Sequence, residues 1–311
     1  MVERMSSVIE DLKKWGPDGT AAPLNLFEAE QYTRRLATTH YENFPVVTKI
    51  VPRDLRQHFA NVYGFCRWAD DLGDETGSPE ESLKLLSWWK AELHRCYEGQ
   101  VSHPVYVALK PTIEKFSIPI EPFADLISAF EQDQSIQSYD TFAQLTDYCR
   151  RSANPVGRIV LHLIGCPHPE NLRSSDSICT GLQLANFWQD VSRDHDIGRV
   201  YLPREDRERF GYADEDLHEK RFTPEFRKLL EFEVDRTRAL FLDGEPLIRS
   251  LSGRWRIVVD LFSRGGQMVL DEIVRLDYNV WRQRPVITKA HAAKALLKSI
   301  GSSFTGRILG K

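Results

Sequence analysis

Leu85-Leu-Ser-Trp-Trp-Lys-Ala-Glu-Leu-His-Arg-Cys-Tyr-Glu-Gly99 is the stretch on which the fold class turns. Leu85, Leu86, Trp89, Leu93, Cys96 and Tyr97 recur at three- and four-residue steps, the period of one helical face. Gly99 stands where a helix C-terminus favours a residue free to turn left-handed. Phe123, Leu126, Ile127 and Phe130 repeat the pattern behind Pro122, a good first-turn residue, and the same spacing runs from Phe226 to Leu242 and from Ile257 to Leu276. Almost no segment alternates apolar and polar residues over a strand's length, and no Gly-rich strand-to-helix turn occurs. The prediction is an all-α chain. Residues 1–25, with Gly16-Pro17-Asp18-Gly19 and Ala21-Ala22-Pro23, read as a turn-rich flexible lead-in. Residues 26–300 read as one helical domain, its prolines spaced as punctuation with no linker among them.

The 311 residues are 41% hydrophobic, enough for a sizeable core. Forty-one Lys and Arg against 45 Asp and Glu leave a net charge of -4, so no basic excess points to a nucleic-acid partner. Apolar runs such as Ile159 to Ile164 fall far short of a membrane span, and Met1 to Lys14 lacks the apolar core of a secretory signal. A cytoplasmic location is expected. The five cysteines are odd in number and without CxxC spacing, which argues against a disulfide framework and a structural zinc site.

Two acidic clusters carry the chemistry. Asp70, Asp71, Asp74 and Glu75 fall within six residues at the end of a helical segment, and Asp70 and Asp74, four apart, share a face. Such like charges cost about 0.2–0.5 kcal/mol of helix stability, so the pair favours a cation beside it. Asp190 and Asp194 repeat the arrangement, with Asn186 one turn earlier. Paired carboxylates suit Mg2+, which takes one or two of them together with water and substrate phosphate oxygens. Either cluster alone reads more simply as a solvated helix end. The company they keep shifts that balance: Tyr63, Phe65, Cys66 and Trp68 precede the first, and Leu182, Leu184, Phe187 and Trp188 precede the second. Arg67, Arg193 and Arg199 lie close by, either as partners of these acids or as clamps on a phosphate.

These residues resemble the squalene and phytoene synthase family of head-to-head isoprenoid enzymes. Tyr63-Gly-Phe-Cys-Arg-Trp-Ala-Asp-Asp-Leu-Gly-Asp-Glu75 is similar to its first aspartate motif. Gly181-Leu-Gln-Leu-Ala-Asn-Phe-Trp-Gln-Asp-Val-Ser-Arg-Asp194, with Asp196-Ile-Gly-Arg-Val-Tyr-Leu-Pro203, is similar to the second motif and its flap. Leu126-Ile-Ser-Ala-Phe-Glu-Gln-Asp133, Tyr148-Cys-Arg-Arg-Ser-Ala-Asn-Pro-Val-Gly157, Val269-Leu-Asp-Glu-Ile273 and Arg282-Gln-Arg-Pro-Val286 match in order, so the resemblance spans about residues 30 to 290.

The resemblance implies a single-domain class I terpene synthase bundle with a central cavity, acting on a prenyl diphosphate. It implies Mg2+ at Asp70, Asp71, Asp74, Asn186, Asp190 and Asp194, with Gln183 assisting, and Tyr148 near the departing diphosphate and the carbocation. Arg67, Arg199 and Arg284 would contact diphosphate. Asn43, Phe44, Tyr63, Asn154 and Phe187 would contact substrate, and Phe65 and Trp188 are further aromatic candidates for the cation's wall.

Departures narrow the reaction. Tyr41-Glu42-Asn43-Phe44 stands where many members have a diphosphate-binding Ser-x-Ser-Phe, Gly265-Gly266 where many have a tyrosine, and Asn154-Pro155 where small residues are usual. Glu42-Asn-Phe-Pro-Val46, Ser152-Ala-Asn-Pro-Val-Gly-Arg158 and Asp70-Asp-Leu-Gly-Asp-Glu75 are similar to the hydroxysqualene synthase branch of bacterial hopanoid pathways, whose members ionise presqualene diphosphate and let water capture the cation. Tyr148 or Asn154 would place that water. This branch implies no NADPH, partner enzymes of the same pathway, and peripheral membrane contact because the product is oily. Two alternatives stand beside it: a prenyltransferase joining two prenyl diphosphates to presqualene diphosphate, squalene, dehydrosqualene or phytoene, and a non-catalytic helical assembly subunit.

Overall fold

Capping side chains mark where several of the helices begin. Ser78 accepts a hydrogen bond from the Glu81 N–H (3.2 Å) ahead of Pro79, Thr141 forms a reciprocal capping box with Gln144, and Thr223 accepts from the Phe226 N–H (3.2 Å). The computed structural model describes residues 7–39 and 51–287. Among them no strand forms, and one isolated bridge pairs Ser138 with Val200. The chain is all-α, as its periodicity predicts. Asn43 and Phe44 lie outside the described residues.

Among the described residues the contacts separate into two compact units where the sequence shows no boundary, because each unit takes residues from more than one stretch of chain: 7–39, 51–136 and 158–167 in one, and 137–157 with 168–287 in the other. The first unit holds α1 (Ser7–Trp15), α2 (Leu26–Thr39), α3 (Arg56–Asp74), α4 (Pro79–Tyr97), α5 (Pro104–Phe116) and α6 (Glu121–Asp133). Its centre is aromatic. Phe65, Trp68, Trp89, Tyr106 and Phe123 are fully buried, and Phe65 stacks on Trp89 at 5.8 Å and meets Phe123 edge-on at 4.9 Å. Phe65 is thus core, not wall. The lead-in is not loose throughout: Val8, Leu12 and Trp15 place an apolar stripe on α1, Val8 is fully buried, and Trp15 meets Tyr32 at 5.1 Å. The turn residues begin only after it.

The second unit holds α7 (Phe142–Ser152), the first turn of α8 (Asn154–Leu163), α9 (Pro169–Asp196), α10 (Arg204–Phe210), α11 (Asp214–His218), α12 (Pro224–Ser250) and α13 (Gly253–Arg275). Here α9, α12 and α13 pack on one another through glycines. A Cβ on Gly266 would strike the Phe241 ring and Leu182, so Phe241 of α12 leaves no room for a tyrosine at that position. Trp188 is fully buried and donates its indole N–H to Thr237 (2.8 Å), which makes it a core residue as well.

Candidate active site

In the first unit the acids crowd the last turn of α3, which contains no base. That end of a helix is the negative end of its dipole, so each carboxylate there is opposed by the backbone as well as by its neighbours. Asp74 is exposed and Asp70 partly so. Burial first, and then the adjacent Asp74, raise the Asp70 carboxyl to about 6 against the pull of Arg67. Asp71 departs from the expected metal set. One residue round the helix from Asp70, it turns inward, is 1% exposed, and pairs with Arg67. Arg67 also approaches Asp70 (3.5 Å) and Glu75 (3.8 Å). It therefore serves as counter-charge to this cluster, where the sequence suggests a diphosphate contact. Tyr63 is half-buried against Ala37 and Ala60.

In the second unit Gln183, Asn186, Phe187, Asp190 and Asp194 fall within one broad stripe of α9. Asn186 is exposed, while Asp190 and Asp194 are partly buried. Arg284 forks onto Asp190, its Nε donating to Oδ1 (2.6 Å) and Nη2 to Oδ2 (2.9 Å), and Nη2 also reaches Gln189 Oε1 (3.2 Å). The arginine expected on diphosphate is thus held on an acid of the site. Asp194 differs. Its Oδ2 is buried with no hydrogen-bond partner, and burial together with the charge of Asp190 pushes its carboxyl up to about 7, opposed by Arg199 and Arg284. A buried carboxylate oxygen without a donor, next to a second carboxylate, is a place for a cation. No group of three or more His, Cys, Asp or Glu able to hold a metal occurs among the described residues. Each pair has two carboxylates, fewer than such a group, and in the second pair both oxygens of Asp190 accept from Arg284.

Beside these acids lies an aromatic stack. Phe187 and Tyr201 are parallel with centroids 3.7 Å apart, and Tyr148 lies 6.2 Å from each. Tyr139 completes it at 5.6 Å from Tyr148 and 6.0 Å from Tyr201. The two outer tyrosines arrive on segments bound side by side: the N–H groups of Val200, Arg204 and Glu205 donate to the carbonyls of Gln137, Tyr139 and Asp140. Sequence reasoning missed both. Tyr201 sits inside the flap segment and was legible there, whereas nothing local marks Tyr139. A cleft lined by Phe187, Asp194, Arg199, Tyr201 and Trp281 joins the stack to Asp194. Asn154 is buried, and its side-chain carbonyl accepts from the Thr180 hydroxyl (2.9 Å), seven residues before Phe187 on the same stripe of α9.

The sequence profile of the squalene/phytoene synthase family matches residues 37–291. The chain belongs to this family. Its members are prenyltransferase-type enzymes of isoprenoid biosynthesis that act on prenyl diphosphates. The 15-cis-phytoene synthase of Synechocystis sp. is 32% identical over 286 residues, covering 87% of this chain and 84% of that protein. The crystal structure of squalene synthase HpnC from Alicyclobacillus acidocaldarius is similar with a TM-score of 0.79 and 44% identity, covering 82% of this chain and 96% of that one. A ligand-bound dehydrosqualene synthase, at 23% identity, shares the fold with a TM-score of 0.79 over 90% of this chain and 98% of its own. The architecture is the isoprenoid-synthase helical fold. No helix of the described residues is long and apolar enough to cross a membrane.

Proposed function

We propose that the protein converts presqualene diphosphate and water to hydroxysqualene and diphosphate, with Mg2+ and without NADPH. Asp70 and Asp74 on α3, and Asp190, Asp194 and Asn186 on α9, would hold Mg2+, which when bound supplies positive charge to the diphosphate as it leaves. The carbon–oxygen bond breaks with its electron pair going to the diphosphate. Phe187 and Tyr201, which line the cleft, would meet the rearranging cation, each ring worth about 0.5–2 kcal/mol when dry, with Tyr148 and Tyr139 packed against them. Water adds through its oxygen, and the proton it sheds passes to the released diphosphate.

Asn154 carries the choice of product. Its amide is fixed by Thr180 in a buried position, which leaves a polar group to hold one water where the resemblance otherwise expects small residues. The 44% identity to a squalene synthase supports a squalene-type carbon skeleton and leaves the choice between alcohol and hydrocarbon to the assay. Head-to-head condensation of two prenyl diphosphates is the second reading, supported by the 32%-identical phytoene synthase. A non-catalytic scaffold would have no use for the donorless oxygen of Asp194.

Purified protein given presqualene diphosphate and Mg2+ should release hydroxysqualene at the same rate with or without NADPH. Squalene formed only with NADPH would select a reductive enzyme. Consumption of farnesyl or geranylgeranyl diphosphate alone would select the condensation.

A further inference from the structure

One turn of α12 touches both supports of the aromatic stack. Thr237 accepts from the Trp188 indole, next to Phe187 on α9, and donates its own hydroxyl to the Glu233 carbonyl (2.7 Å). On the same turn Arg236 lies over the ring of Phe142, 3.4 Å from its centroid, and Phe142 is the first residue of the helix that carries Tyr148. The guanidinium is held from behind by two acids, donating to Asp206 (2.8 Å) and Glu233 (2.5 Å). Both are buried, and Glu233 is wholly so. The Phe142 N–H donates to Glu205 Oε1 (2.6 Å), at the end of the paired segments that bring in Tyr139 and Tyr201. None of these contacts belongs to the aspartate motifs.

We propose that Arg236 is a positioning residue, clamped by Asp206 and Glu233 so that its guanidinium sets the start of α7 and with it the placement of Tyr148 and Tyr139 against Phe187 and Tyr201. A planar cation suits this task because it can stack on a ring with its face while its edge reaches two carboxylates. A shift of about 1 Å at a reacting surface can cost on the order of 100-fold in rate, so a clamp remote from the chemistry can govern turnover. The effect falls on the ionised state, after substrate has bound. It should therefore appear in kcat and in the way the cation is captured, with KM little changed.

This inference rests on the proposed reaction, and its test separates the two. Arg236→Met, Arg236→Lys and Phe142→Leu are compared with the wild-type protein for kcat, KM and product distribution on presqualene diphosphate, and for hydrogen exchange over residues 139–148 and 198–205. Arg236→Met should lower kcat about 10- to 100-fold with KM within about threefold, divert product from the alcohol to rearranged or eliminated hydrocarbons, and speed exchange in both segments. Arg236→Lys keeps the charge and loses the flat face, so it should recover only part of the rate. Phe142→Leu removes the ring without leaving a buried charge unpaired, and it decides the matter if Arg236→Met does not fold. Wild-type rate, products and exchange in a folded Arg236→Met or in Phe142→Leu would overturn the clamp. A wild-type protein inert toward presqualene diphosphate would overturn the reaction instead, and exchange in the variants would still report on the clamp.

Discussion

Replacing Glu233 by glutamine should make this protein more stable at alkaline pH, although Glu233 sits in an ion-paired cluster with Arg236 and Asp206. The reason is charge count. One guanidinium faces two buried carboxyls, so the cluster is neutral only when one of them keeps its proton. Burial pushes the Glu233 carboxyl up to about 8; Arg236 opposes this and Asp206 adds to it. An ordinary glutamate titrates near 4.5, so between these values the folded chain holds a proton that the unfolded chain has released. By linkage, stability is greatest below about 4.5, falls as pH rises towards 8, and levels off above it. At about 1.4 kcal/mol per pH unit the loss is on the order of 5 kcal/mol, a large part of the 5–15 kcal/mol typical of folded proteins. Glutamine mimics the neutral acid at every pH. Urea unfolding at pH 5, 7 and 9, without Mg2+, should place Glu233→Gln within about 1 kcal/mol of wild type at pH 5 and above it by about 3–4 kcal/mol at pH 9, with unchanged m-values. Asp70 and Asp194, raised to about 6 and about 7, tilt the curve of both proteins alike and drop out of the difference. A gap independent of pH, or a less stable variant at pH 9, would refute the reasoning and show that the Arg236 pairing outweighs burial.

Asp71→Asn should destabilise the fold by about 2–3 kcal/mol in urea, because it leaves Arg67 without its buried partner, whereas Asp74→Asn should add about 0.2–0.5 kcal/mol to the metal-free protein by relieving its repulsion of Asp70, and lower turnover. Asp194→Asn should cut turnover about 100- to 1,000-fold and abolish stabilisation by Mg2+. In the metal-free protein it should raise the melting temperature above pH 7, since its carboxyl, held near 7 when folded, otherwise loses stability as pH rises through its ordinary 3.8 towards 7. Gly266→Ala should cost about 1–3 kcal/mol because its Cβ meets Phe241, while Gly265→Ala, with no atom within 4 Å, should add about 1 kcal/mol in the same denaturation assay.

What could be read from the sequence follows from how far apart in the chain the interacting groups lie. Leu85, Leu86, Trp89 and Leu93 announce a buried helical face because helix geometry alone makes them neighbours, and all four are buried. The same geometry joins Asp70 to Asp74 and, four residues apart again, Arg67 to Asp71. Asp71 was therefore separable from the metal set by the rule that identified the set, once its own partner one turn back was weighed. Val8, Leu12 and Trp15 were open to the same reading, and the turn residues after them obscured it. No such rule reaches Arg284 on Asp190, 94 residues apart, or Arg236 on Asp206, 30 apart, because folding alone brings these partners together. The acids show themselves because their repulsion is local and calls for a cation. The parts that hold an aromatic stack in place show nothing locally: Phe142 is an ordinary first-turn residue, and Glu233 and Arg236 an ordinary i, i+3 pair, until α7, α10 and α12 meet. Sequence motifs in such a protein thus expose the groups that bear unfavourable charge, and the structure supplies the groups that set their surroundings.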